Sequence, residues 1–581
     1  MKRSIQIWIT MLCSSFTGAL LSAETPTPPP PFLHDDQIRL HVIAAAPNGK
    51  PLYPRIRENG TGFVADLDEW HPVDPCTYRT KYLKALVDEI NRQPKSKPIL
   101  IFIHGGNNVP GKSLRRSALL GANPRLTEKY YPIFINWNSE PISTYSEHLF
   151  LVRQGQRHTV LGPITSPFYL ASDLARALVR APAVWVKLID FEFSRHEHRR
   201  AVISQESLRY LSSPPNRGKL HLTERSYQEG DRRSQTQVIT GDWHNLSLVL
   251  KAPAEIILDA IGTGAWNMML RRSRELFDSP THFHEQPTVD QKLIKEIVRL
   301  ADSQKRGQTR GRELNDEIDR YVAQIVAQQK QQGASEPSRH EDTYLVRSVP
   351  GAVEMFLQVL EQNLDQGHSI TIIGHSMGTI VANEILIRHP SKLPFDNIVY
   401  MAAACSVKEC EDAVLPYLRQ ENHLKAQFYN LCLHPIAEAT ETFLSPEKRN
   451  PTIKDYAIST GGLFVPRGSL LIWLDSFFTH PVNLEELRLG RWATAVSSAG
   501  IYPSDVSDRI HLTMFPVGLE YLPQKHAQFA SSEFPTPFWD PDFWDPKTPW
   551  EEKAVAAKKE TSSAAAALAT PVISPVNASP R

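Results

Sequence analysis

Short apolar runs alternate along the chain with stretches whose apolar positions recur at helical spacing. Between residues 82 and 92, Leu83, Leu86, Val87 and Ile90 fall at the i, i+3, i+4, i+7 positions of one helix face. KPILIFIHGGNN follows at once, and its continuous apolar run from 99 to 103, ending in glycines, predicts a strand buried on both faces. YYPIFINWNSE (130 to 140) repeats the pattern. From 348 to 366, Val353, Phe356, Leu357, Leu360 and Leu364 share a helix face, and SITIIGHSMGTIVANEIL (369 to 386) then passes from a strand-like run to a helix-like one. NIVYMAAACSV (397 to 407), KAQFYNLCLH (425 to 434) and RIHLTMFPVG (509 to 518) predict three later strands. Strands alternating with helices in this way predict an α/β fold: an open, mostly parallel sheet with helices on both faces.

Two insertions interrupt the alternation. The first, 141 to 343, has a polar, loop-like middle (SSPPNRGKLHLTERSYQEGDRRSQTQ) and a later amphipathic pattern with Leu314, Ile318, Val322 and Ile325 on one face. The second, 440 to 508, contains GGLFVPRGSLLIWLDSFF, whose apolar residues suit either a cap over a pocket or plain core. The core is therefore expected in three pieces, 38 to 140, 344 to 439 and 509 to 550. Ahead of it, Lys2 and Arg3 precede an apolar stretch from 5 to 21 and small residues at 22 and 23, the shape of a secretory signal peptide over 1 to 23. Export to the periplasm or medium is the expectation, with an uncleaved membrane anchor as the alternative. A proline-rich linker (24 to 37) and an Ala, Ser, Lys and Pro tail (551 to 581) are expected to be disordered.

Composition narrows the function classes. A hydrophobic content of 41% with 9% aromatics is ordinary for a globular chain, and 581 residues suit one large domain with insertions or two domains. Lys and Arg number 64 against 63 Asp and Glu, so no global charge points to nucleic acid. Beyond Cys13 in the apolar leader, Cys76, Cys405, Cys410 and Cys432 make neither a zinc pattern nor a disulfide scaffold. Cys405 and Cys410 stand close enough to close a small loop in an oxidising compartment, and free buried thiols are the equal alternative. Neither a metal nor an organic cofactor is expected.

The stretch around Ser376 carries the chemistry. Ile370, Ile372 and Ile373 are strand-like, whereas Ile380, Val381, Ile385 and Ile387 follow helical spacing, so Ser376 sits on a strand-to-helix hinge. Such a hinge strains the serine backbone, and Gly374 and Gly378 remove side chains that would keep strand and helix apart. The hydroxyl is then presented at the carboxyl edge of the sheet, above a helix N-terminus with unpaired amides.

This stretch resembles the nucleophile elbow of the alpha/beta-hydrolase superfamily. The resemblance extends to HGGNN (104 to 108), placed where that superfamily keeps its oxyanion-hole loop, and to FINWNS. These segments are similar to bacterial hydrolases of poorly defined substrate that read HGYN and WPS, with Gly106 standing in place of the tyrosine. The resemblance implies oxyanion donors from Met377 and from Gly105 or Gly106, and a structural place for His104. The order nucleophile, acid, histidine implies His526 as the base, with His511 and His480 as alternatives. Glu438 is the chosen acid, followed by Glu441 and Asp412. The implied activity is a serine hydrolase of carboxylic esters, small-molecule or lipid, acting through an acyl-enzyme. An acyltransferase using the same intermediate and a non-catalytic, envelope-associated binding protein are the alternatives. Contact with a membrane is expected only through the N-terminal segment. Oligomeric state is left open.

Overall fold

Isoleucine, leucine and phenylalanine fill both faces of the central strands, and such strands are stable only when layers of structure cover them on each side. The computed structural model describes residues 31–59, 62–67, 73–106, 108–153, 156–157, 161–198, 221–223, 248–279, 349–441, 468–515 and 521–545. Nine strands form its main sheet. In chain order they are β1 (Val42–Ala45), β2 (Pro51–Leu52), β3 (Ile99–Ile103), β4 (Tyr131–Trp137), β5 (His221–Thr223), β6 (Ile370–His375), β7 (Phe395–Met401), β8 (Gln427–Leu433) and β9 (Ile510–Phe515). Their spatial order is β2-β1-β4-β3-β6-β7-β8-β9-β5, and every pair is parallel except the β1/β2 hairpin. All residues of β3, β4 and β6 are buried, as the unbroken apolar runs require.

Connections after β3 and after β6 run in opposite directions along the sheet. The chain leaves β3 through the helix α1 (Pro110–Gly121) to β4 on one side, and leaves β6 through another, α6 (Gly378–Arg388), to β7 on the other. Neighbouring strands that diverge in this way open a crevice outside their carboxyl ends. Ile370 to Gly374 pair in register with Ile99 to Ile103, so residues 104 to 106 and 376 to 378 emerge side by side at that crevice.

The described parts of the insertions are largely helical. Three helices, α2 (Pro141–Phe150), α3 (Leu161–His198) and α4 (Leu248–Glu275), pack together. Buried polar contacts join them: His148 meets Asp173 at 3.0 Å, and Arg272 meets Glu147 at 2.7 Å while donating to the carbonyl of Asn138 at 3.1 Å. From the second insertion, Leu471, Trp473, Leu474 and Phe477 are buried, and the Phe478 ring lies against Gly262 of α4. The apolar residues of 468 to 478 are thus core shared between the two insertions.

Several expectations are corrected. The stretch 212 to 237, read as loop, contributes β5, whose place on the sheet comes from pairing with β9 rather than from local pattern. The run at 397 to 407 leaves the sheet after Met401, because Ala402 takes a positive φ of 45°; Ser406 then caps the helix α7 (Val407–Leu418) in a box with Glu409. The helix α5 (Ala352–Asn363) buries Val353, Phe356, Leu357 and Leu360. Ile380, Val381 and Ile385 of α6 are buried but Ile387 is exposed. The expected linker ends early: Leu33 is buried, its N–H donates to Ala118, and Asp35–Ile38 is helical. Cys405, Cys410 and Cys432 are free and buried, and Cys76 is free and exposed. The expected signal peptide, the amphipathic pattern from Leu314 to Ile325 and the tail lie outside the described residues. Among the described residues no helix is long and apolar enough to cross a membrane.

Candidate active site

Ser376 occupies the first position after β6 with φ +52°, a conformation that is sterically disfavoured for a residue with a Cβ. The surrounding bonds hold it there. Its N–H donates to Met401, and its carbonyl accepts from Thr379 Oγ1 at 2.7 Å, Thr379 N–H at 3.1 Å and Ala404 N–H at 3.2 Å. The two glycines flanking it have separate duties. A Cβ on Gly374 would stand 3.0 Å from Gly378, and a Cβ on Gly378 would overlap the Ile103 carbonyl. Helix α6 can therefore start directly against β3 and β6 only with glycine at both positions.

On the neighbouring strand the HGG loop lies against the serine. A Cβ on Gly105 would come within 2.7 Å of Ser376 Cβ, and one on Gly106 within 3.3 Å of Met377 Sδ. The Gly105 carbonyl accepts three bonds, from His104 Nδ1 at 2.8 Å, Asn108 Nδ2 at 2.9 Å and Ser139 Oγ at 3.0 Å. His104 Nε2 in turn accepts the Trp137 N–H at 3.3 Å, and burial lowers its pKa to about 4, so His104 is a neutral structural link.

A peptide unit is planar and trans, so a carbonyl fixed in one direction sends the next N–H in the opposite one. The triply held carbonyls of Gly105 and Ser376 thereby orient the N–H groups of Gly106 and Met377. Among the described residues no hydrogen bond engages either amide. Both donors stand just past the ends of the adjacent strands β3 and β6.

His526 opens a short 3-10 turn, His526–Ala530, beside the elbow. His375 Nε2 donates to the His526 carbonyl at 3.0 Å, and the two rings lie 5.3 Å apart. Both ring nitrogens of His526 and the Ser376 hydroxyl are buried without a hydrogen-bond partner. Burial lowers the His526 pKa to about 4, which keeps the imidazole neutral near pH 7. The bond between the Ser376 hydroxyl and this imidazole is not made in the structure.

The candidate carboxylates have different partners. Glu438 accepts from Ser469 Oγ at 3.1 Å and faces Arg491 at 3.7 Å, and it makes no contact with His526. Glu441 Oε2 instead accepts the His526 backbone N–H at 3.0 Å. Burial raises both carboxyls to about 7. Asp412 is on the exposed side of α7, paired with Lys408 at 3.0 Å. Of the alternative histidines, His511 bonds Gln427 at 2.9 Å and stacks on Tyr429, and His480 faces Asp259 in the helical insertion at 3.5 Å.

Sequence reading missed Asn108, Ser139 and His375 as parts of this arrangement. The first two stand inside HGGNN and FINWNS, but only the fold shows that both reach one carbonyl. Among the described residues no three His, Cys, Asp or Glu side chains gather as a metal-binding group. No family model, curated protein or solved structure matches this chain.

Proposed function

We propose that the protein is a serine hydrolase of the alpha/beta-hydrolase type that cleaves carboxylic esters through an acyl-enzyme on Ser376. The observation carrying this reading is the pair of free amides, Gly106 and Met377, each oriented by a triply bonded carbonyl beside a strained, unbonded serine. Two preorganised N–H donors at the point where a serine adds to a carbonyl are what stabilisation of a tetrahedral oxyanion needs.

In the proposed reaction Ser376 Oγ bonds to the ester carbonyl carbon and its proton passes to the neutral His526 imidazole. The carbonyl electron pair moves onto oxygen and is held by the Gly106 and Met377 amides. Collapse expels the alcohol, which takes the proton from the imidazolium, and leaves an acyl-serine. Water then repeats the sequence, with His526 accepting its proton, and the acid is released. In this reading Glu441 orients the imidazole, supported by its bond to the backbone N–H of the same residue.

The test is labelling with a fluorophosphonate, which reacts rapidly only with an activated serine. Fast labelling that disappears in Ser376→Ala is expected, together with hydrolysis of a short p-nitrophenyl ester. A second reading, a hydrolase-like scaffold without turnover, draws on the missing bond between Ser376 and His526. Absence of labelling would favour it.

A further inference from the structure

Helix α4, from the first insertion, reaches the candidate site through Met269. A Cβ placed on Gly106 would stand 3.3 Å from Met377 Sδ, 3.5 Å from Met377 Cγ and 3.8 Å from Met269 Sδ. On that side Gly106 has room for a single carbon before two thioethers, one from the elbow and one from α4, close the space.

Both walls are held in place. Met377 and Met269 are buried members of the main core, and although methionine is an adaptable side chain, in a close-packed interior it can swing aside only into volume already filled. Trp266 and Arg272, three positions either side of Met269, share its helix face. Trp266 is buried in the same core. Arg272 pairs with Glu147 and donates to the Asn138 carbonyl at 3.1 Å and to Ser143 Oγ at 3.2 Å. Asn138 precedes Ser139, whose hydroxyl holds the Gly105 carbonyl. The helix that carries Met269 is therefore tied to the same strand end that helps aim the Gly106 amide. Both donor amides belong to residues that border the space, Gly106 by its α-carbon and Met377 by its thioether. An ester carbonyl held on these amides brings its acyl group up to it.

We infer that the space between Gly106, Met269 and Met377 receives the acyl group of the ester, that it takes an acetyl-sized group, and that Met269 sets this limit. The inference rests on the hydrolytic reading and adds the substrate class to it, esters of short-chain acids. It also gives the first insertion a direct part in substrate choice.

The test measures kcat/KM of the full-length chain for p-nitrophenyl acetate and p-nitrophenyl butyrate. The parent chain should favour acetate by about tenfold or more, the discrimination expected when two methylenes find no room. Met269→Ala opens the space and should bring the two values level or reverse them. Gly106→Ala fills the space from its other wall, where its methyl group meets side-chain atoms of the two methionines, and should widen the gap. The ratio of the two esters is compared because damage to the donor amide lowers both alike. An unchanged ratio in either variant that keeps the parental circular dichroism spectrum overturns the inference, and so does a parent that prefers butyrate. A parent that takes up fluorophosphonate but cleaves neither ester overturns it as well, with the hydrolytic reading of Ser376 left standing. A parent that takes up no fluorophosphonate brings down the hydrolytic reading, and this inference with it.

Discussion

Glu441 and His526 are joined through the main chain: the carboxylate accepts the histidine's amide hydrogen at 3.0 Å, while Glu438 is turned toward Ser469 and Arg491. A carboxylate in that position needs only side-chain rotation of the imidazole to take its ring N–H as well. Glu441→Gln is therefore expected to lower kcat by about 100-fold or more, within the range for loss of acid–base support. Glu438→Gln should leave most activity. Parallel ester assays of the two variants decide the matter, and a larger loss in Glu438→Gln would reverse the assignment.

In the proposed mechanism Asn108 and Ser139 act on the oxyanion donors at one remove, by holding the Gly105 carbonyl. Replacing both by alanine leaves His104 as the remaining partner and lets the Gly105–Gly106 peptide turn. Because the donor matters in the transition state rather than in ground-state binding, kcat should fall about tenfold with KM nearly unchanged. A rise in KM alone would show that these residues serve substrate binding instead.

Ser376 is held at φ +52° with its hydroxyl buried and unpaired, two features that work against stability. Ser376→Gly removes both and should raise stability by about 1 kcal/mol while eliminating turnover. Ser376→Ala relieves only the unpaired hydroxyl, so the gain should be smaller. Denaturant midpoints of the three proteins measure the difference, and a destabilised glycine variant would contradict the strain argument.

A buried cluster far along the chain sets a pH window. His389 bonds Glu361 at 2.6 Å and Glu354 at 3.2 Å. Burial opposes its charge, but the two carboxylates outweigh burial and raise its pKa above the ordinary 6.5. Burial likewise opposes the Glu354 charge, yet bonds from His389 and Gln358 bring its pKa below 4.5. A raised histidine contributes fully below about pH 6.5 and loses its contribution as pH rises through its folded pKa; a lowered glutamate contributes above about pH 4.5 and loses it as pH falls further. This cluster therefore stabilises most between about pH 4.5 and 6.5. In His389→Gln the stability measured by denaturation should vary less across pH 6 to 8 than in the parent chain.

Much of the sheet was legible because parallel strands buried on both faces must be written as unbroken apolar runs, as in ILIFI and YPIFINW. The hinge at Ser376 was legible for a related reason, since close packing of helix on strand leaves room only for glycine at 374 and 378. What escaped depends on partners distant in sequence. Three residues, His221 to Thr223, form a strand only because β9 offers them an edge. Glu438 lies in the helix Pro435–Thr440 and Glu441 just past its end, three positions on, and no local pattern tells which of them meets residue 526 and which meets residues 469 and 491. The 38-residue helix α3 contains Pro167 and Pro182, which read as breaks although the helix continues through them.

The strand that the first insertion lends to the sheet has a further consequence. By pairing with His511–Thr513 it covers part of a rim whose backbone donors and acceptors would otherwise stand unmatched. A shortened chain trimmed of 141 to 343 would carry that rim bare, and bare rims recruit one another, molecule after molecule. The excursion thus doubles as a guard against self-stacking, and the remainder is not a natural unit to isolate.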